Sequence, residues 1–421
     1  MASEKPERLL PGLVVLPEVY MKLDSTDEPV RVICSVGDKF KAQDVIALLQ
    51  RLGIEVDPDP SVHTDYYVFA RLADRKQAHA IDQEKKPKKD LCIGRVWLDK
   101  DMKTCVSDSQ KTINAPAARN LFEATGAGVH WAVLDSGVDI AHSRFAGQGS
   151  FKGSFDPSRQ YDFTGEGKGP ADAHGTHVAG IIAAIAPEAT LYDFKVLGKE
   201  GGSSSTIIRA MHTIRRMNFD AGETVVHGVN MSLGGPVPVP SYGCGWSPEC
   251  QEADRLVASG VVVCVAAGND GYKVLATVPH GELMLFSTYT DIGISDPGNA
   301  EHVITVGSTH KSSPHAYGPS YFSSKGPTGD GRRKPDCVAP GEKIVSALAG
   351  TKKGTIEMDG TSMACPHVSG AVALFLSAKP EFKGRAREVK QILLDSCTDL
   401  DRDRYFQGAG LVDVLRMIQS V

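Results

Sequence analysis

Aspartate, histidine, asparagine and serine stand at the ends of apolar runs in this chain, where buried backbone gives way to a turn or opens a helix. Asp135-Ser136-Gly137 follows Trp131-Ala132-Val133-Leu134, which puts a carboxylate at a strand end. Taken alone, such an aspartate caps a turn or the next helix. His174-Gly175-Thr176-His177-Val178-Ala179-Gly180 opens an apolar helix with imidazoles at i and i+3. Imidazoles one turn apart can bind zinc, but His174 is not followed by Glu and no third ligand is evident. In Gly360-Thr361-Ser362-Met363-Ala364-Cys365-Pro366-His367-Val368-Ser369-Gly370 a serine starts a helix whose first turn is expected to tolerate Pro366. An isolated GTS is most simply an N-cap. The same place suits a nucleophile, because free N–H groups at a helix start can receive the oxygen of a tetrahedral intermediate. Val265-Ala266-Ala267-Gly268-Asn269-Asp270 sets an amide just past the end of another buried strand.

The elements that must position these groups fall into two patterns. From Val30 to Leu98 the order is a strand (Val30–Val36), a helix (Lys41–Leu52), two strands (Ile54–Val56, Tyr66–Leu72), a helix (Asp74–Glu84) and a strand (Leu91–Leu98). That is βαββαβ, the split-βαβ or ferredoxin-like unit. Residues 1–28 are polar, with Pro6, Pro11 and Pro17 and no sustained period, and read as a tail or strap outside the core. The run Lys85–Lys89 reads as a solvated turn. After about Lys100, β-branched apolar strands alternate with longer helices, and continuous runs such as Val261–Ala266 are what a parallel sheet covered on both faces requires. The expected fold is therefore α/β, a doubly wound, mainly parallel sheet behind a small α+β domain. In such sheets functional groups gather at the carboxyl ends of strands.

A length of 421 residues allows two or three domains, and 41% hydrophobic with 23% charged residues excludes a disordered chain. The composition is not basic enough for general nucleic-acid binding, and a net charge of -5 names no partner. No run approaches the length of a membrane helix, and Leu9–Val15, broken by Pro11, is too short for a signal-peptide core. The expected compartment is the cytoplasm. Nine scattered cysteines favour reduced thiols over a disulfide framework, although a Cys244–Cys250 bridge stays open.

Chain order discriminates further. In α/β-hydrolases the serine leads and the histidine ends, in chymotrypsin-like proteases the histidine leads, and Asp, His, Ser is the subtilisin order. Through Asp135-Ser136-Gly137, His174–Gly180, Asn230-Met231-Ser232-Leu233-Gly234-Gly235, Ala266-Ala267-Gly268-Asn269 and Gly360–Ala364, residues 110–415 resemble the subtilisin-like serine proteases, the subtilases. The unit in front resembles their inhibitory propeptide. The resemblance implies a serine endopeptidase with Ser362 as nucleophile, His174 as general base and then acid, and Asp135 orienting the imidazole. It implies an oxyanion hole made by the Asn269 side chain and the Ser362 N–H. Peptide or protein substrates would pair as an added strand with Ser232-Leu233-Gly234-Gly235, flanked by Gly201 and Gly202, and Ala266, Ala267 and Gly268 would line a roomy, mainly apolar pocket.

Domains are expected at 1–28, 29–105 and 106–421, as tail, propeptide-like inhibitor and catalytic domain. Asp99–Cys105 would lie in the cleft, with self-cleavage between Leu98 and Gln110. The rival readings are a permanent N-terminal regulatory or partner-binding domain and a non-catalytic peptide-binding pseudoprotease. No cofactor is expected to be required. The resemblance would imply a calcium loop inserted in the histidine helix and an acidic ligand after the Asp135 segment, but Ala183-Ala184-Ile185-Ala186-Pro187 leaves no room for the loop and Arg144 stands at the ligand position, so that site is expected to be absent, while calcium elsewhere stays open.

Overall fold

The computed structural model describes residues 14–26, 28–60, 63–84, 91–99, 106–146, 153–235, 237, 243–277 and 284–421. It divides into two compact units, Met1–Lys103 and Thr104–Val421. The Lys85–Lys89 run and residues 100–105 of the expected cleft segment lie outside the described residues.

The first unit runs α1 (Pro17–Leu23), β1 (Val30–Val36), α2 (Ala42–Arg51), β2 (Glu55–Val56), β3 (Tyr67–Leu72), α3 (Arg75–Gln83) and β4 (Ile93–Leu98). Its four strands pair antiparallel in the order β2-β3-β1-β4. Alternation in β1 buries Val30, Val32 and Cys34 against Val45 and Leu49 of α2. For the described residues 14–26 and 28, the expectation that the segment adds nothing to the core is corrected. Val14, Val15 and Val19 belong to this core, and Val15 bridges to Val96. The cause is one buried carboxylate far along the chain. Asp82 Oδ1 accepts from Val14 N (2.7 Å) and Val15 N (3.2 Å), and Asp82 Oδ2 accepts from Tyr20 Oη (2.6 Å). With Pro17 starting α1, where its missing N–H costs nothing, the segment is held as structure despite its polar composition.

The second unit runs α4 (Val106–Thr112), α5 (Ala115–Phe122), β5 (His130–Asp135), β6 (Phe155–Asp162), α6 (His174–Ile185), β7 (Thr190–Lys195), β8 (Leu197–Gly198), β9 (Gly201–Gly202), α7 (Ser204–Ala221), β10 (Gly228–Met231) and α8 (Pro248–Ala258). It continues with β11 (Val262–Ala266), β12 (Tyr272–Thr277), β13 (Met284–Tyr289), β14 (Ile304–Thr309), α9 (Pro314–Tyr317), β15 (Cys337–Pro340), β16 (Ile344–Ala347), β17 (Thr355–Met358), α10 (Thr361–Ala378), α11 (Ala386–Ser396), α12 (Arg404–Gln407) and α13 (Val414–Gln419). Seven strands form one parallel sheet, β15-β14-β11-β10-β5-β7-β6.

Helices flank this sheet. α10 packs on α6 and on β10, β11, β14 and β15, while α7, α8 and α11 form a second group that reaches β11. Every residue of β11 and β14 is buried, as strands covered on both faces must be. By length and composition α10 could cross a membrane, but 83% of that stretch is buried within this unit as its central helix. The long connection after Asn269 is a hairpin of β12 on β13.

Candidate active site

Because β5, β10 and β11 are adjacent and parallel, their carboxyl ends open onto one edge, and α6 and α10 begin there. Asp135 is the last residue of β5 and is fully buried. His174 is the first residue of α6, and its Nδ1 donates to Asp135 Oδ1 at 2.7 Å. This close approach requires Gly175, since a Cβ there would meet Gly137 O at 2.5 Å and Asp135 Oδ1 at 3.2 Å. Asp172 braces the turn. Its Oδ1 accepts from His174 N (2.8 Å) and Ser136 Oγ (2.5 Å), and Ser136 Oγ accepts from Gly175 N (3.0 Å). Among the described residues Asp135 Oδ2 has no donor, and Oδ1 accepts from Ser136 N (2.8 Å) as well as from the imidazole, the nearest cationic partner of the carboxylate. The carboxylate's charge raises the His174 pKa from 6.5 to about 9, against burial, which lowers it.

Ser362 lies in the first turn of α10, and its Oγ donates to Ser232 O at 3.1 Å rather than to His174. Pro366 sits inside the helix, beyond the first turn where it was expected. Its missing N–H leaves Ser362 O without the usual helical donor. Ser232 Oγ supplies one at 2.7 Å and is itself held by Asn230 Nδ2 (2.9 Å), whose Oδ1 accepts from Ser369 Oγ (2.9 Å). The proline thereby ties the serine's own backbone to the neighbouring strand end.

Asn269 follows β11 across Gly268, whose φ of +104° and lack of side chain are both needed, since a Cβ would stand 2.5 Å from Ser295 Oγ. Asn269 Oδ1 accepts from Thr361 N (3.0 Å) and Thr361 Oγ1 (3.1 Å), and Thr361 Oγ1 accepts from Gly268 N (3.1 Å). With its oxygen engaged, the amide presents Nδ2 as a donor. A Cβ built on Gly360 would lie 3.5 Å from Asn269 Nδ2 and 3.6 Å from Ser362 N, so both donors border one space.

A cleft of about 580 Å³ contains His174, Asn269 and Ser362. Of the expected substrate-binding residues, Gly201 and Gly202 lie on one wall, Ser232, Leu233, Gly234 and Gly235 on another, with Ala266 and Gly268 beside them. Ala267 is corrected. It is fully buried behind the wall, its N–H donating to Val306 O and its carbonyl accepting from Ser295 N. Glu249, Ser295 and Asp296 also line the cleft and carry no sequence signal, because their partners lie on other elements. Ser136 and Thr361 likewise act through partners on other elements.

The zinc reading of the histidine pair finds no support in the geometry. His177 Nε2 faces the carbonyls of Ile344 (3.0 Å) and Ile356 (3.1 Å), and burial lowers its pKa to about 4, so it is a neutral donor in the core. Among the described residues no cluster of three or more His, Cys, Asp or Glu is arranged to hold a metal. Arg144 lies in a short 3-10 turn and is exposed. Cys244 and Cys250 are not joined as a disulfide.

The Subtilase family model matches residues 126–411. Subtilisin E of Bacillus subtilis strain 168 is 34% identical over 312 residues, which cover 72% of this chain and 68% of the relative. Serine protease AprX of the same strain is 32% identical over 355 residues, covering 76% and 73%. The solved structure of the Clostridium perfringens CspB protease, at 18% identity, superposes with a TM-score of 0.61 over 74% of this chain and 98% of its own, a likeness of fold. With the family matched over more than half its length and relatives about one third identical across the same span, the chain belongs to the subtilase family of subtilisin-like serine proteases.

Proposed function

We propose that this chain is a serine endopeptidase that uses Asp135, His174 and Ser362 as a triad. The observation that carries the reading is the 2.7 Å His174 Nδ1 to Asp135 Oδ1 bond at the mouth of a cleft that also holds Ser362 and Asn269. A serine hydroxyl needs a base to attack an amide, and His174 Nε2 is the ring nitrogen left to serve once Nδ1 is committed to Asp135. Rotation about one side-chain bond turns the Ser362 hydroxyl from Ser232 O toward that nitrogen. Its oxygen adds to the scissile carbonyl while the proton passes to His174, and the oxyanion takes hydrogen bonds from Asn269 Nδ2 and Ser362 N. Collapse returns the proton to the leaving amine and leaves an acyl-enzyme, which water hydrolyses by the same steps. Gly234 and Gly235 present backbone against which a substrate strand can pair. No step asks for a metal or cofactor.

The first unit is read as a ferredoxin-like propeptide, with self-cleavage between Leu98 and Gln110. Eight described cysteines without a disulfide fit a reducing, intracellular site of action. The test is intact-mass analysis and casein hydrolysis with wild type beside Ser362→Ala. Wild type should hydrolyse casein and be shortened at that junction, and Ser362→Ala should do neither. An uncut, fully active wild type would make the first unit a permanent domain, and an inactive wild type that binds peptides would make the chain a pseudoprotease.

A further inference from the structure

The cleft walls carry charge that peptide hydrolysis does not use. Asp172, Glu249, Asp270 and Asp296 line the cleft, and among the described residues no lysine or arginine does. Asp172 is engaged by Ser136 and His174 N, and Asp270 pairs with Lys273 at 2.7 Å. Glu249 and Asp296 have no cationic partner among the described residues.

Their position is set by the pocket backbone. Ser295 stands where a Cβ on Gly234 would come within 2.8 Å of its Cβ, and one on Gly268 within 2.5 Å of its Oγ. It therefore closes the space between the two strand ends that border Ser362. Asp296 follows at once, with its carbonyl accepting from Gly235 N at 3.0 Å. The Asp296 residue is only 6% exposed, and its Oδ1 accepts from Asn299 Nδ2 at 2.9 Å. The Cys250 thiol bonds to the same carboxylate, whose charge adds to burial in raising the thiol pKa. Both donors are neutral. Glu249, in the first turn of α8 beside Cys250, is half-buried.

We propose that this pocket selects a basic side chain, the lysine or arginine preceding the scissile bond, with Asp296 at its buried end and Glu249 at its rim. The inference rests on the peptidase reading and replaces the mainly apolar pocket expected from Ala266 and Gly268. Those small residues and Leu233 suit the methylene stem, and the carboxylates take the head. Neutral donors offset part of the desolvation of a buried carboxylate and an arriving cation offsets more, whereas the half-exposed Glu249 contributes less.

The experiment compares kcat/KM of the full chain, as purified, on tetrapeptide anilides that end in Arg, Lys, Leu or Phe and are otherwise identical. Arg and Lys should exceed Leu and Phe at least tenfold, and their advantage should shrink as sodium chloride rises from 50 mM to 500 mM, a test that needs no variant. Asp296→Asn should lower the Arg-to-Leu ratio at least tenfold, and Glu249→Gln, at a half-exposed position, by about threefold. Preference for Leu or Phe in wild type, or a ratio that neither salt nor either variant moves, would overturn the inference and leave the peptidase reading standing. Failure of wild type to cleave any of the four, or to react with a fluorophosphonate, would sink both.

Discussion

Replacing Asp135 with asparagine removes one charge from a fully buried position 2.7 Å from His174 Nδ1. That carboxylate is the largest influence raising the imidazole from 6.5 to about 9, and burial alone acts in the opposite direction. The rise is worth roughly 3 kcal/mol of imidazolium stabilisation. Since the base must be neutral to act, kcat/KM of wild type should climb with pH along a limb above 6.5. In Asp135→Asn the limb should move below 6.5. Loss of roughly 3 kcal/mol from a transition state that contains imidazolium predicts a fall of about 10²-fold. A second effect is larger. The new amide can donate to Nδ1, which leaves the proton on Nε2, the tautomer that cannot accept from Ser362, and a wrong tautomer costs about 10⁴-fold. The tautomer effect should therefore dominate the plateau, while the charge effect sets the limb. The assay is kcat/KM of a chromogenic tetrapeptide from pH 5 to 10. An unmoved limb, or a loss below tenfold, would refute the assignment of Asp135 and His174 as orienting group and base.

Thr361→Val keeps shape but removes the hydroxyl bonds to Gly268 N and Asn269 Oδ1, so kcat should fall about tenfold at little cost in KM, as steady-state kinetics would report. An unchanged kcat would mean that Thr361 does not aim the Asn269 amide. Gly228 faces Trp131 across β10 and β5, and an alanine Cβ would stand 2.2 Å from the indole ring. Gly228→Ala should cost about 1–3 kcal/mol or more by overpacking, visible as a lowered melting temperature. His177 and His367 are buried with pKa values lowered to about 4, so between pH 6.5 and 4 the unfolded chain binds more protons and stability falls as pH falls. His227, lowered to about 4 by burial, adds to the same fall, while Asp193, raised to about 6 by burial, acts in the opposite sense over pH 6 to 3.8 and His174, raised to about 9, does so over pH 9 to 6.5, which leaves three groups against two. Urea unfolding of Ser362→Ala, which avoids self-digestion, should show lower stability at pH 5 than at pH 7.5, and equal stability would contradict the buried neutral state of these histidines.

The elements legible from sequence were those whose own residues specify them. Alternation over Val30–Val36 marks a strand, and the structure places it over the same residues. Within the apolar run Thr224–Met231 the strand begins only at Gly228, because Asn218 holds Val226 through both its N–H and its carbonyl as a loop. The edge strand Phe155–Asp162 went unread, since half-exposed polar residues and Pro157 hide its period. At the site, Asp135, His174, Asn269 and Ser362 announce themselves by standing at element ends. Their supports do not. Ser232 serves Ser362 from 130 residues away, and Thr361 reaches Asn269 across 92. Small polar side chains reveal such roles only once the sheet has brought their partners together.

Reaction of the purified chain with a fluorophosphonate, followed by peptide mapping, tests the central claim most directly. The account predicts one adduct, on Ser362, lost in Ser362→Ala and slowed by at least 10³-fold in His174→Ala. An adduct on another residue, or labelling that survives Ser362→Ala, would contradict it.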